Sequence, residues 1–170
     1  MLSELENYQQ RIVDLRDQVY ELVEGLPAEA LNWRPLPPPP GPGTGEVNSL
    51  AVLAAHIAGA EHFWIGEVVG GLPATRDRDA EFSTTAADAT NLLRRLEATA
   101  AETGGVFARL VPSDLKGARE VRGRTVATRW CILHVIDHTA LHLGHMQLTY
   151  QLWQGGQGLA SPFWYERLPA

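Results

Sequence analysis

The sequence predicts an all-α protein, a four-helix bundle, and three observations carry that prediction. Four long segments repeat apolar residues every three or four positions, the spacing that places them on one face of a helix. Proline- and glycine-rich stretches separate these segments. No strand–helix–strand alternation, internal repeat or sustained heptad run is present. Such helices bury their apolar faces against one another and build sites from side chains on facing helices. At 170 residues, 45% hydrophobic and 20% charged, residues 1–170 are expected to form a single domain with a substantial core.

The first helix is expected over residues 3–25, where Leu5, Tyr8, Ile12, Leu15, Val19 and Leu22 form one seam. Ser3 with Glu6 makes a capping box, and Gly25 with Pro27 a stop. Arg11, Asp14, Arg16 and Asp17 occupy its other faces, so the helix shields a core and offers no evident chemistry. Residues 27–47 form a Pro/Gly-rich crossover: Pro35, Pro37, Pro40 and Pro42 exclude both a helix and a central strand. Trp33 is positioned to pin this segment to the body. A ligand for proline-recognition modules is the alternative, but a surface crossover suits its place between two helices.

Asn48 or Ser49 caps a second helix running to about Val69, ended by Gly70, Gly71 and Pro73. Its stripe is Leu50, Leu53, Ile57, Ala60, Phe63, Trp64 and Val68; His56 lies within the stripe, and His62 is assigned to the polar side. A lone histidine on an apolar face is ordinarily a satisfied core residue. Residues 71–83, alternating Arg and Asp, read as a solvated connection. Thr84 or Thr85 starts a third helix to about Leu110, with a kink expected at Gly104 and Gly105. A loop follows Pro112, and residues 121–126 read as a short extended piece. The fourth helix begins near residues 125–128 and ends at Trp153 before Gln154, Gly155 and Gly156. The tail, residues 158–170, holds Phe163, Trp164 and Tyr165 and is expected to pack on the bundle or on a second copy.

Charge narrows the function classes. A net charge of −6 without a basic cluster excludes a nucleic-acid surface. No apolar run reaches the length of a membrane span. The acidic N-terminus lacks the order of a secretion signal, and one cysteine cannot form an internal disulfide. A cytoplasmic protein acting on a small molecule is the expectation.

The fourth helix carries the chemistry. Four of the six histidines, His134, His138, His142 and His145, fall within twelve residues at spacings of four, four and three. At about 100° per residue they share an arc of roughly 80°. Leu133, Ile136, Leu141 and Met146 keep the segment apolar. A histidine row in such surroundings needs partners, and a transition-metal ion suits several converging imidazoles. One ion cannot take all four, since His134 and His145 stand about 16 Å apart along the axis. The mid-helix pair His138 and His142, beside the open space at Gly144, is preferred, with His56 as third ligand from a facing helix. His134 and His145 then flank the site. Cys131 lies about 10 Å along the axis from His138, too far to share its ion, and reads as a buried structural cysteine. Glu67 and Asp137 read as supporting or surface carboxylates.

The run from His134 to His145 resembles the signature helix of the DinB/YfiT-like superfamily: His, three residues, His, three residues, His, one residue, Gly, then Gln or His. Residues 53–64, with His56, Glu61, His62 and Trp64, resemble that family's second-helix motif, and helix order and length agree over nearly the whole chain. The resemblance implies a four-helix bundle, often dimeric, with a divalent ion on His56, His138 and His142. Some relatives place Glu at the middle ligand; this chain retains His. It further implies chemistry of the thiol S-transferase type, with mycothiol or bacillithiol as cofactor, or of a metal-dependent hydrolase. Zinc, nickel, iron or manganese held by three histidines lowers the pKa of a thiol or a water molecule. His145 or Glu61 would shuttle the proton. Two other readings stay open: a non-catalytic metal-binding or stress-response homodimer, and a purely structural helical dimer whose histidines form a polar seam.

Overall fold

The computed structural model describes residues 3–37 and 47–157. Four long helical elements form the bundle: α1 (Glu4–Val23), α3 (Leu50–Glu61) continued by a π-helical turn (His62–Val69), α5 (Thr90–Phe107) and α6 (Thr128–Trp153). Helix α1 packs on α5 and α6, and α3 packs on the same two from the opposite corner. Two short helices, α2 (Ala28–Asn32) and α4 (Arg78–Phe82), a 3-10 turn (Pro112–Lys116) where a loop was expected, and a hairpin of β1 (Ala118–Val121) and β2 (Arg124–Ala127) complete the described fold. No helix among the described residues is long and apolar enough to cross a membrane.

Helix α1 starts as its sequence requires. The Ser3 hydroxyl accepts from Glu6 N, and the Glu6 carboxylate accepts from Ser3 N at 2.6 Å. Its buried seam is Leu5, Ile12, Leu15, Val19 and Leu22. Helix α3 is covered all round; every residue but Gly59 is buried. Alanines make this possible, because they let neighbouring helices close on all faces of one element. Around it, one apolar cluster gathers Leu50, Ile57, Leu96 and Met146, and a second gathers Ile12, Ile65, Val106 and Ile132.

Several expectations are corrected. The second helix changes to i→i+5 bonding after Glu61, closing with Gly70 N donating to Ile65 O at 2.9 Å. The extra residue per turn rotates the stripe, burying Ile65, Gly66 and Val69 and leaving Phe63, Trp64 and Val68 half-buried. The crossover contains α2, tied down by Asn32, whose amide donates to Ala86 O at 2.7 Å and accepts from Ala86 N at 2.9 Å. Helix α5 begins at Thr90, later than expected, because Thr84 closes α4 through Ala80 O and Asp88 accepts from Thr90 N. It runs unbroken through Gly104 and Gly105. The extended piece is a two-stranded hairpin pairing Ala118 with Ala127 and Val121 with Arg124. The aromatic tail at 158–170 and residues 38–46 of the crossover lie outside the described residues.

Candidate metal centre

Helix α3 supplies His56 and helix α6 supplies His138 and His142, one turn apart. One nitrogen from each of the three imidazoles lies within 4.8 Å of the others. His56 Nε2 and His138 Nε2 are 3.1 Å apart. Ligands about 2.0–2.1 Å from a tetrahedral ion stand about 3.3 Å from one another, so this spacing matches an edge of such a site.

Protonation follows from the neighbours. His56 Nδ1 lies 2.8 Å from Glu81 Oε2, and both side chains are buried. The carboxylate dictates a proton on Nδ1, which turns the Nε2 lone pair toward His138. His138 Nδ1 is itself buried without a hydrogen-bond partner among the described residues. With its proton there, two Nε2 lone pairs face each other, an arrangement that a cation relieves. Burial first, then the neighbouring His142 and His56, pushes His138 down to about 3; burial, then His56 and His145, pushes His142 down to about 4. Both rings are therefore neutral near pH 7, as metal ligation demands. The donor set fits a divalent transition ion.

Arg76 and its neighbours hold this arrangement. Arg76 grips Glu81 with two parallel bonds, Nε to Oε1 at 2.7 Å and Nη2 to Oε2 at 2.9 Å. Burial raises the Glu81 carboxyl, but hydrogen bonds from Arg76 and His56 outweigh it and hold the group below the usual carboxylate range. Glu67 accepts from the backbone N–H groups of Thr75 and Arg76, and Asp77 caps α4 by accepting from Ala80 N. The stretch 71–83 is mostly exposed, in line with a solvated connection, but Arg76, Glu81 and Phe82 turn inward and wall the site. Glu81 and Arg76 escape a sequence reading because their burial depends on α4 lying against α3. The one local signal is Asp77 as an N-cap ahead of Arg78–Phe82.

Contact between α4 and α3 turns on Gly59. A Cβ there would stand 2.0 Å from Glu81 Oε1. Gly59→Ala is expected to push the carboxylate off His56 and lower affinity for divalent ions about 10–100-fold, with all three histidines intact. Competition titration against a chelating dye measures this.

The other histidines and candidate acids are distributed as follows. His134 stacks on Trp130 with ring centroids 5.0 Å apart and meets the edge of Trp64 at 5.0 Å. His145 is exposed, with Nδ1 3.4 Å from His142 Nδ1. His62, assigned to the polar side, is half-buried and bonded to Glu102 at 2.6 Å and Thr75 at 2.9 Å. Glu61 turns to α1 and α5, where its Oε1 accepts from Arg16 and Thr103. Its hydrogen bonds are thus made away from the imidazoles. Cys131 is buried, and burial raises its thiol.

Acid should destabilise the metal-free protein. A histidine held below its ordinary value of 6.5 takes its proton in the unfolded chain first, so stability falls as pH drops below about 6.5 and continues falling toward pH 4. Lowered Glu81 acts in the same direction below the ordinary carboxylate value of 4.5. Urea midpoints measured with chelator should decline from pH 7 to pH 4.5, and less so after His138→Ala.

The profile of the DinB superfamily matches residues 11–146. Among solved structures, a conserved protein from Enterococcus faecalis superposes with a TM-score of 0.70 at 15% identity, covering 91% of this chain and 99% of that one. A DinB-like protein from Bacillus cereus superposes with a TM-score of 0.68 at 15% identity, covering 92% and 97%. At that identity the likeness establishes the fold. No curated protein matches the chain.

Proposed function

The chain belongs to the DinB superfamily, and from that premise we propose a metal-dependent enzyme in which His56, His138 and His142 hold one divalent transition ion, whether zinc, nickel, iron or manganese. The observation that carries this reading is the convergence of three imidazoles with a carboxylate fixing the outer nitrogen of one of them. An ion held by three histidines supplies Lewis-acid activation of a thiol or a water molecule. The chain's own residues do the rest. Glu81 holds the proton on His56 Nδ1, and Arg76 fixes Glu81. Phe82, with its ring 4.8 Å from that of His56, shields the imidazole. His145 is exposed beside His142, next to open space at Gly144, where it can take and return a proton. The reaction is transfer of a low-molecular-weight thiol, of the mycothiol or bacillithiol kind, to an electrophile, or hydrolysis of a small ester or amide.

The test begins with calorimetric titration of chelator-treated protein with each of the four ions, then assays for thiol consumption and ester hydrolysis. One equivalent bound with turnover in either assay supports the enzyme. No uptake of any ion sinks it. Uptake without turnover favours the second reading, a non-catalytic metal-binding homodimer. Exposed leucines on α6 support a dimer in either case: Leu141, Leu148 and Leu152 lie on one face and are 59%, 56% and 49% exposed. Leu141→Glu/Leu148→Glu is expected to sediment as a monomer where the wild type sediments as a dimer.

A further inference from the structure

A cavity of about 600 Å³ lies between the π-helical turn, the approach to α4, the hairpin and the start of α6. Its apolar surface is aromatic: Trp64 and Trp130 meet edge to face at 5.2 Å, and Trp130 remains 46% exposed. Its charged surface is basic. Arg78, Arg122 and Arg124 line it, and none has a carboxylate partner among the described residues; Arg78 rests over the Phe82 ring. Glu67 also lines the cavity, but it is engaged by the Thr75 and Arg76 N–H groups, and Arg76 by Glu81. The hairpin turn sharpens the point. Arg122 has φ 50 and Gly123 φ 75, a two-residue turn whose first position favours Asn, Asp or Gly. The chain carries arginine in that strained position.

None of the three imidazoles lines this cavity, but two residues of its wall connect to them. Trp130 stacks on His134, whose ring lies 5.7 Å from that of His138. Arg76, in the cavity wall, grips the carboxylate that holds His56. We infer that the cavity binds the second substrate, and that this substrate is a flat, apolar molecule bearing a carboxylate or similar anionic group. The inference rests on the metal-dependent reading for its role as substrate. The aromatic pair takes the flat body, and the arginines take the anion through charge-assisted, paired hydrogen bonds. The volume suits a ligand of two or three fused or linked rings.

The probes are 2-naphthoate, neutral 2-naphthamide and inorganic phosphate, titrated by calorimetry and tryptophan fluorescence at low ionic strength. Naphthoate is expected to bind at least about tenfold tighter than naphthamide, and at least about 100-fold tighter than phosphate. In Arg78→Gln/Arg122→Gln/Arg124→Gln, all surface changes that leave the core untouched, naphthoate should fall to the level of naphthamide. High salt should shrink the preference in the wild type. Equal binding of naphthoate and naphthamide, a preference that survives in the triple variant, or phosphate binding as tightly as naphthoate would each overturn the inference. Metal content separates the two readings. Charge discrimination in a chain that takes up no metal keeps the anionic site and removes the enzyme. One equivalent of metal without discrimination keeps the metal centre and removes the anionic site.

Discussion

His138→Ala/His142→Ala is expected to bind no transition metal under conditions where the wild-type chain takes up one equivalent. The two rings lie one turn apart on α6 and supply two of three donors, so their removal leaves His56 alone, and one imidazole with no chelate partner holds an ion only weakly. The readout is twofold. Elemental analysis should fall from near-stoichiometric to background. Metal-induced stabilisation should also vanish: saturation at 1,000 times the dissociation constant adds about 4 kcal/mol to a native state that binds, and nothing to one that does not. The fold should survive, since both rings are only partly buried and α6 keeps Cys131, Ile132, Val135, Leu143 and Met146 in the core. Equal metal uptake by variant and wild type would place the ion elsewhere and remove the proposed centre.

Arg16→Leu should be among the most destabilising single changes in the described chain, costing about 3–5 kcal/mol at pH 7. Arg16 and Glu61 are buried together, 7% and 1% exposed at their side chains, with Nη1 to Oε1 at 2.5 Å. Burial raises the Glu61 carboxyl, while Arg16 and Thr103 oppose that rise. Taking away the cation leaves a carboxylate with one oxygen already unpartnered inside the bundle. Denaturant unfolding of Arg16→Leu, Glu61→Gln and the double variant measures the pair as a cycle, and the double should lose less than the sum of the singles. Metal affinity should remain within a few-fold of wild type in Glu61→Gln. A large loss of affinity would tie Glu61 to the metal centre instead of to Arg16.

Much of the candidate site is legible from local periodicity. His138 and His142 share a face because a helix repeats every 3.6 residues, and the surrounding leucines and isoleucines announce that helix without reference to anything distant. His56 is legible as a buried histidine on the facing helix. Ser3, Glu6 and Ser49 mark helix starts through bonds that span only three residues. The same locality explains what was missed. Nothing within a few residues of Glu81 signals burial, because burial comes from Gly59, twenty-two positions earlier, leaving room for its carboxylate. His62 is taken out of solvent by Glu102 and Thr75, contacts no periodicity contains. The π-helical turn cannot be read from an apolar stripe at all, since its sign is a changed bonding step.

By itself, then, the sequence determined the four long helices, most of their ends and the row of imidazoles, all consequences of spacing along a regular backbone. Tertiary structure alone decided which acids matter. It placed Glu81 on His56, gave Glu61 to Arg16, and set four arginines and two tryptophans around one cavity linked through Arg76 to the candidate metal centre. Those pairings join residues far apart in the chain, and their strength comes from the exclusion of water when helices close on one another.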